Sequence, residues 1–156
     1  MSTKEVTAEN NGYRYGMFTG IVLIAYMILA ALLGFFDNIL ASGLNLLILT
    51  VGIVLAIRNL HNAQGASGKY LAGYGTAVIT AGVASAMVGV AFVIFSLVMP
   101  DKMGLTRLRD LFGFDLSLVM SFCAIILSGA MWAAIIAIVA MQFHKDEDPM
   151  HVNEIE

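Results

Sequence analysis

GKYLAGYGTAVITAGVASAMVGVAFVIFSLVM, residues 68–99, is the stretch on which the fold turns. Glycine recurs in it at Gly68, Gly75, Gly82 and Gly89, and the small Ser96 closes the series. A residue with little or no side chain therefore stands at every seventh position. In a helix of 3.6 residues per turn a seven-residue step returns almost to the same face, lagging by about 20° each time, so the spacing predicts a slowly wound bare stripe. Gly68 falls in the preceding loop, which leaves Gly75, Gly82, Gly89 and Ser96 as the helical part of the stripe. Between Lys69 and Asp101 no residue is charged over 31 positions, well beyond the ~20 needed to span the hydrocarbon core of a bilayer. The stretch reads as a membrane helix with a seam where another helix can come close.

Composition carries the same reading to the whole chain. Of 156 residues 60% are apolar and 12% charged, and the mean hydropathy is +0.87; soluble domains sit near half apolar and a quarter charged. The surplus must face lipid, so the bilayer is the first expected partner. A net charge of −3 with scattered basic residues provides no electrostatic footprint for nucleic acid. The one cysteine, Cys123, lies in an apolar run and reads as a small buried or lipid-facing residue. Glu5 and Glu9 stand ahead of a long apolar run, unlike a cleaved signal peptide, so that run is expected to stay as the first span.

Four spans follow from the apolar runs, at about 13–36, 39–57, 70–99 and 116–143, forming an all-α integral membrane four-helix bundle of two transmembrane hairpins. Residues 1–12 read as a polar tail and 144–156 as an acidic one. Gly12, Gly16 and Gly20 open span 1 with a small-xxx-small series that bares one face. Tyr13, Arg14 and Tyr15 form the aromatic and basic collar of a membrane boundary. Gly34 to Asn38 reads as a tight turn between spans 1 and 2, and 58–69 as a polar connector. Pro100 ends span 3 by removing an amide hydrogen from the ladder. In residues 104–113, Leu105, Leu108, Leu111 and Phe112 recur at three- and four-residue steps, the pattern of a short interfacial helix, with a solvated loop as the alternative. In span 4, Gly129, Ala133 and Ala137 make a further small stripe.

The intramembrane polar residues are neutral. Asn45 and Thr50 in span 2 are expected to meet neighbouring helices, because an amide in hydrocarbon needs a partner. Thr76, Thr80, Ser85, Ser96, Ser121 and Ser128 could line a water path or bond back to their own helix carbonyls. No span has an aspartate, glutamate, lysine, arginine or histidine in its interior, which weighs against an ion-coupled carrier. Gly73-Tyr74-Gly75 shares its core with a potassium filter but follows Leu71-Ala72 and opens a long helix, so packing explains it better. The chain has no nucleophile elbow, Walker loop, helical histidine pair or cysteine pair. His144, Asp146, Asp148 and His151 lie in a flexible tail that does not preorganise a metal site. The expectation is a protein with no catalytic site, cofactor or metal. Lys4, Arg14, Arg58, Lys69 and Lys145 outnumber Lys102, Arg107 and Arg109, which favours cytoplasmic termini.

Tyr15-Gly16-x-x-x-Gly20, Ile57-Arg58-Asn59, Gly65-Ala66-Ser67-Gly68-Lys69-Tyr70, Gly75 and Pro100-Asp101 together resemble the uncharacterised four-helix membrane family called domain of unknown function 4199. The resemblance covers about residues 13–143. It implies a small bacterial inner-membrane protein and brings no activity or catalytic residues. This chain departs from it in having few charges in the 2–3 connector and a charged 3–4 linker. From the residues, the leading expectation is a structural or accessory subunit that assembles through its glycine faces, as a homo-oligomer or in a larger membrane complex. The alternative is a small oligomeric channel or transporter whose substrate the residues do not name.

Overall fold

The structure, a computed structural model, describes residues 7–34, 39–64, 70–99 and 113–143. Four helices account for nearly all of them: α1 Ala8–Leu33, α2 Ile39–Gln64, α3 Tyr70–Val98 and α4 Phe114–Phe143. Each is long and apolar enough to cross a membrane. The expected all-α four-helix bundle is what the chain forms.

Helix ends depart from the hydropathy boundaries, and for local reasons. The polar tail expected over 1–12 is helical from Ala8, because Thr7 caps the helix: its side chain accepts from the Asn10 amide at 3.3 Å. Glu9 in the first turn suits the positive end of the helix dipole. Instead of ending near Ile57, α2 continues through Arg58, His61 and Asn62 to Gln64. Twenty-six residues make a helix of about 39 Å, longer than the ~30 Å hydrocarbon core, so its last polar turns can stand in the headgroups and stay helical. α1 stops where Gly34 turns left-handed at φ 72° and donates its amide to the Ala30 carbonyl. Gly113, at φ 79°, leads into α4, where its carbonyl accepts from both the amide and the hydroxyl of Ser117. The expected turn at 35–38, the interfacial helix at 104–113 up to residue 112, and the acidic tail at 144–156 lie outside the described residues.

Cross-helix contacts establish the topology. Asn11 reaches Ala56 and Thr19 reaches Gly52, so α1 and α2 are antiparallel. Gly12, Gly16 and Gly20 meet Ile79, Val83 and Met87 in turn, so α1 and α3 run parallel. Gly89 meets Phe122 and Ser85 meets Gly129, which makes α3 and α4 antiparallel. The start of α1 and the end of α4 therefore share one end of the bundle.

α3 is the central rod, packed against all three others. Its buried face consists of two rows at four-residue steps: Gly73, Ala77, Ala81, Ser85 and Gly89 beside Thr76, Thr80, Ala84, Val88 and Phe92. This corrects the seven-residue seam. A four-residue step advances about 40° around the helix while a seven-residue step falls back about 20°, so the two patterns wind in opposite senses. They coincide at Gly89, against the Phe122 ring, and at the buried Ser96. Gly75 and Gly82 lie off the packed face: Gly82 is exposed, and a Cβ at either position would meet nothing within 4 Å.

The close seam belongs instead to α1. A Cβ on Gly12 would stand 3.0 Å from the Thr76 carbonyl oxygen, and one on Gly16 would stand 2.8 Å from the Thr80 carbonyl oxygen and 2.8 Å from Val83 Cβ. One on Gly20 would come within 2.8 Å of the Met87 sulfur. Two of these three obstacles include backbone, which cannot swing aside. Four-residue rows on both partners are the arrangement of right-handed small-xxx-small pairs in membranes. Gly16→Leu should therefore lower the midpoint of thermal unfolding in detergent, followed by circular dichroism, by the equivalent of at least about 1–3 kcal/mol of over-packing.

Candidate functional site

Polar groups on the packed faces join helices. Thr76 Oγ1 donates to its own helix at the Ala72 carbonyl, 2.9 Å away, and also stands 3.3 Å from the Ala8 carbonyl of α1. Thr80 repeats the pattern one turn on, with Thr76 O at 2.7 Å and Gly12 O at 3.3 Å. Both residues are fully buried. A hydroxyl has one proton, so the nearer carbonyl takes it and the second lies within its field. Such back-bonding is the usual use of helix hydroxyls.

Two further bonds tie α2 into the bundle. Asn11, which hydropathy had assigned to the tail, is buried and donates its side-chain amide to the Ala56 carbonyl at 2.7 Å. Trp132 Nε1 donates to Thr50 Oγ1 at 3.1 Å, and that hydroxyl donates to Leu46 O at 2.7 Å. Thr50 thus meets a neighbouring helix, as expected. Between these ties Thr19 sits on Gly52, its Oγ1 pressed against the glycine. The sequence reading passed over Asn11, Thr19 and Gly52. Asn11 is four residues from Tyr15 and one from Gly12, and its place beside the glycine row was the signal that could have found it.

In the half of the bundle that holds the start of α1 and the end of α4, the core is closed. Ile53, Ile57, Ala77, Ala81, Ala133 and Ala137 are all buried there. Gly129 belongs to the edge of this region, with Ser85 Oγ directly against it. Of the stripe expected on span 4, all three members are thus buried.

The opposite half is open. No described residue of α4 between Leu118 and Ser128 is buried, and in α2 Gly43 to Leu47 are all exposed. The gap is a cavity of about 380 Å³, walled by Leu23, Met27, Leu49, Val88, Phe92 and Ile125. Five polar side chains also line it: Tyr26, Asn45, Ser85, Ser121 and Ser128. They fall at two depths. Tyr26, Asn45 and Ser121 lie six or seven residues from the near ends of their helices, about 10 Å in. Ser85 and Ser128 lie thirteen or fourteen residues in, about 20 Å and close to the middle of the bilayer.

Asn45 corrects an expectation. It is exposed, it opens on the cavity, and it forms no hydrogen bond among the described residues. Tyr26, which shares with Asn45 and Ser121 the level nearer the helix ends, the upper level of the cavity, has no spacing signal in the sequence, because it is a single aromatic residue in an apolar run. Ser96 is fully buried, outside the cavity lining, with its hydroxyl unpartnered. Among the described residues no three His, Cys, Asp or Glu side chains cluster as a metal site would require.

Fold and site together define a multi-pass membrane protein of four helices, tied by neutral hydrogen bonds and open at one end. Compared with family models, curated proteins and solved structures, the chain has no match. Replacing Asn11 by Ala should cost about 1 kcal/mol, in the range measured for interhelical hydrogen bonds in membranes. Unfolding in mixed detergent micelles, read as a shift in the midpoint, checks it.

Proposed function

We propose that this chain is a non-catalytic structural or accessory subunit of a bacterial inner membrane, assembling with further copies or a larger complex through the outer face of α3, its termini on the cytoplasmic side. The observation that carries the reading is the emptiness beside Gly75 and Gly82, where a Cβ would meet nothing within 4 Å. Gly12, Gly16, Gly20, Gly52, Gly89 and Gly129 each have another helix against them, while Gly43 shares the emptiness. A helix-interior glycine costs about 1 kcal/mol relative to alanine. Inside this bundle Gly75 and Gly82 return none of that through packing, whereas contact with a second protein would. Ala86, exposed one turn beyond Gly82, extends the bare face.

The resemblance to domain of unknown function 4199 supports the bacterial inner membrane, and the basic residues support the orientation. A pore lined by Thr76 and Thr80 is the weaker reading, because both hydroxyls are buried and engaged with helix carbonyls.

Gentle extraction followed by native mass measurement tests the proposal. Wild type should leave the membrane as a homo-oligomer or with a larger protein. Gly82→Leu should leave it alone, with its thermal unfolding unchanged. A wild-type monomer, or a complex indifferent to that substitution, would overturn the assembly reading.

A further inference from the structure

We infer that the open half of the bundle is a binding site for a neutral amphipath of the bilayer, a molecule with a single hydroxyl or carbonyl head and an apolar body. A volume of about 380 Å³ lies within the ~300–1,000 Å³ of small-molecule pockets. The lining has the make-up of such a site, mainly apolar with a few polar groups on different helices.

Charge and depth specify the class of ligand. Every polar group lining the cavity is neutral, with a phenol, a carboxamide and a hydroxyl at the upper level. These groups both donate and accept, and so they match a hydroxyl or carbonyl; with no cation in the lining, they do not match a carboxylate or phosphate. Helices of 26 to 30 residues measure about 39–45 Å and overreach a ~30 Å core by about 5–7 Å at each end. Groups about 10 Å in from the helix ends thus sit just inside the hydrocarbon boundary, where a small neutral head resides. Below them Leu23, Leu49 and Val88 offer an apolar wall to the body.

Asn45 gives the second reason. An amide inside a span with no hydrogen bond among the described residues is costly in hydrocarbon. A ligand head at its level would provide the partner. Entry needs no new opening, since the unburied stretches of α2 and α4 border the cavity on the lipid side.

The protein carries its own reporter. Trp132 is the only tryptophan and bonds to Thr50, one turn beyond the cavity residues Leu46, Leu49, Ser128 and Gly129. Full-length protein in phosphatidylcholine vesicles would be titrated with a bromine-labelled long-chain alcohol and, separately, with bromine-labelled phosphatidylcholine, reading quenching of Trp132. Wild type should show saturable quenching by the alcohol at a mole fraction at least tenfold below that for the phospholipid. Asn45→Leu should raise the alcohol's half-saturation about tenfold, the loss of one well-made hydrogen bond. Ala124→Phe, which fills the cavity from an exposed position on α4, should abolish the saturable phase. Unchanged thermal unfolding would show that each variant is folded, and Asn45→Leu decides the matter if Ala124→Phe is not. Equal quenching by the two lipids would mean that an ordinary phospholipid chain occupies the gap, and quenching indifferent to Asn45→Leu would mean that no head is recognised; either overturns the inference.

Discussion

Everything in this bundle depends on how closely α1 can approach α3. Lipid tails are as apolar as leucine, so the hydrophobic effect that assembles soluble bundles does not distinguish a helix neighbour from a lipid neighbour. What remains is van der Waals contact and hydrogen bonding, both of which fall away within an ångström. Gly12, Gly16 and Gly20 allow the approach, and the carbonyls of Thr76 and Thr80 occupy the space that side chains would have filled. Only at that separation do the threonine hydroxyls come within reach of Ala8 and Gly12 carbonyls. Bare backbone and short polar side chains act as one device.

The remaining helices attach to this pair unequally along their length. At the end with the start of α1, Asn11 holds α2 through Ala56, Thr19 fits Gly52, and small residues of α4 lie in the core beside Ile53 and Ile57. Beyond Gly129 no described residue of α4 is buried until Ser117. The result is a bundle closed in one half and parted in the other. Met27, Ala31 and Phe92 keep α1 and α3 together alongside the opening, so the parting is between α2 and α4 and leaves the central pair intact.

Neutrality runs through both halves. The polar groups described at the helix contacts are hydroxyls, the Asn11 carboxamide and one indole, and those lining the cavity are a phenol, a carboxamide and hydroxyls. None needs a counter-ion, which keeps the cost of burial within reach of single hydrogen bonds. The same neutrality limits what the open half recognises to groups that exchange hydrogen bonds without exchanging charge.

Much of the architecture was legible along the chain, because the bilayer imposes its own ruler: an apolar run of about 20 residues has few alternatives to a spanning helix, and four of them define the bundle. The α1 glycine series was legible for the same local reason, since a four-residue step lies on one face wherever the helix sits. Thr50, too, was read correctly as meeting another helix. Helix ends were less so, as Thr7 and the polar turns from Arg58 to Gln64 extend helices past the apolar run. Which face of α3 is inside was beyond the sequence, because two small-residue patterns share that helix and wind oppositely. Crossing with α1 selected the four-residue rows and left Gly75 and Gly82 outside. Likewise the meeting of Tyr26, Asn45 and Ser121 at one depth depends on where three helices stop and how far two of them part, distances that are set between segments and written in none of them.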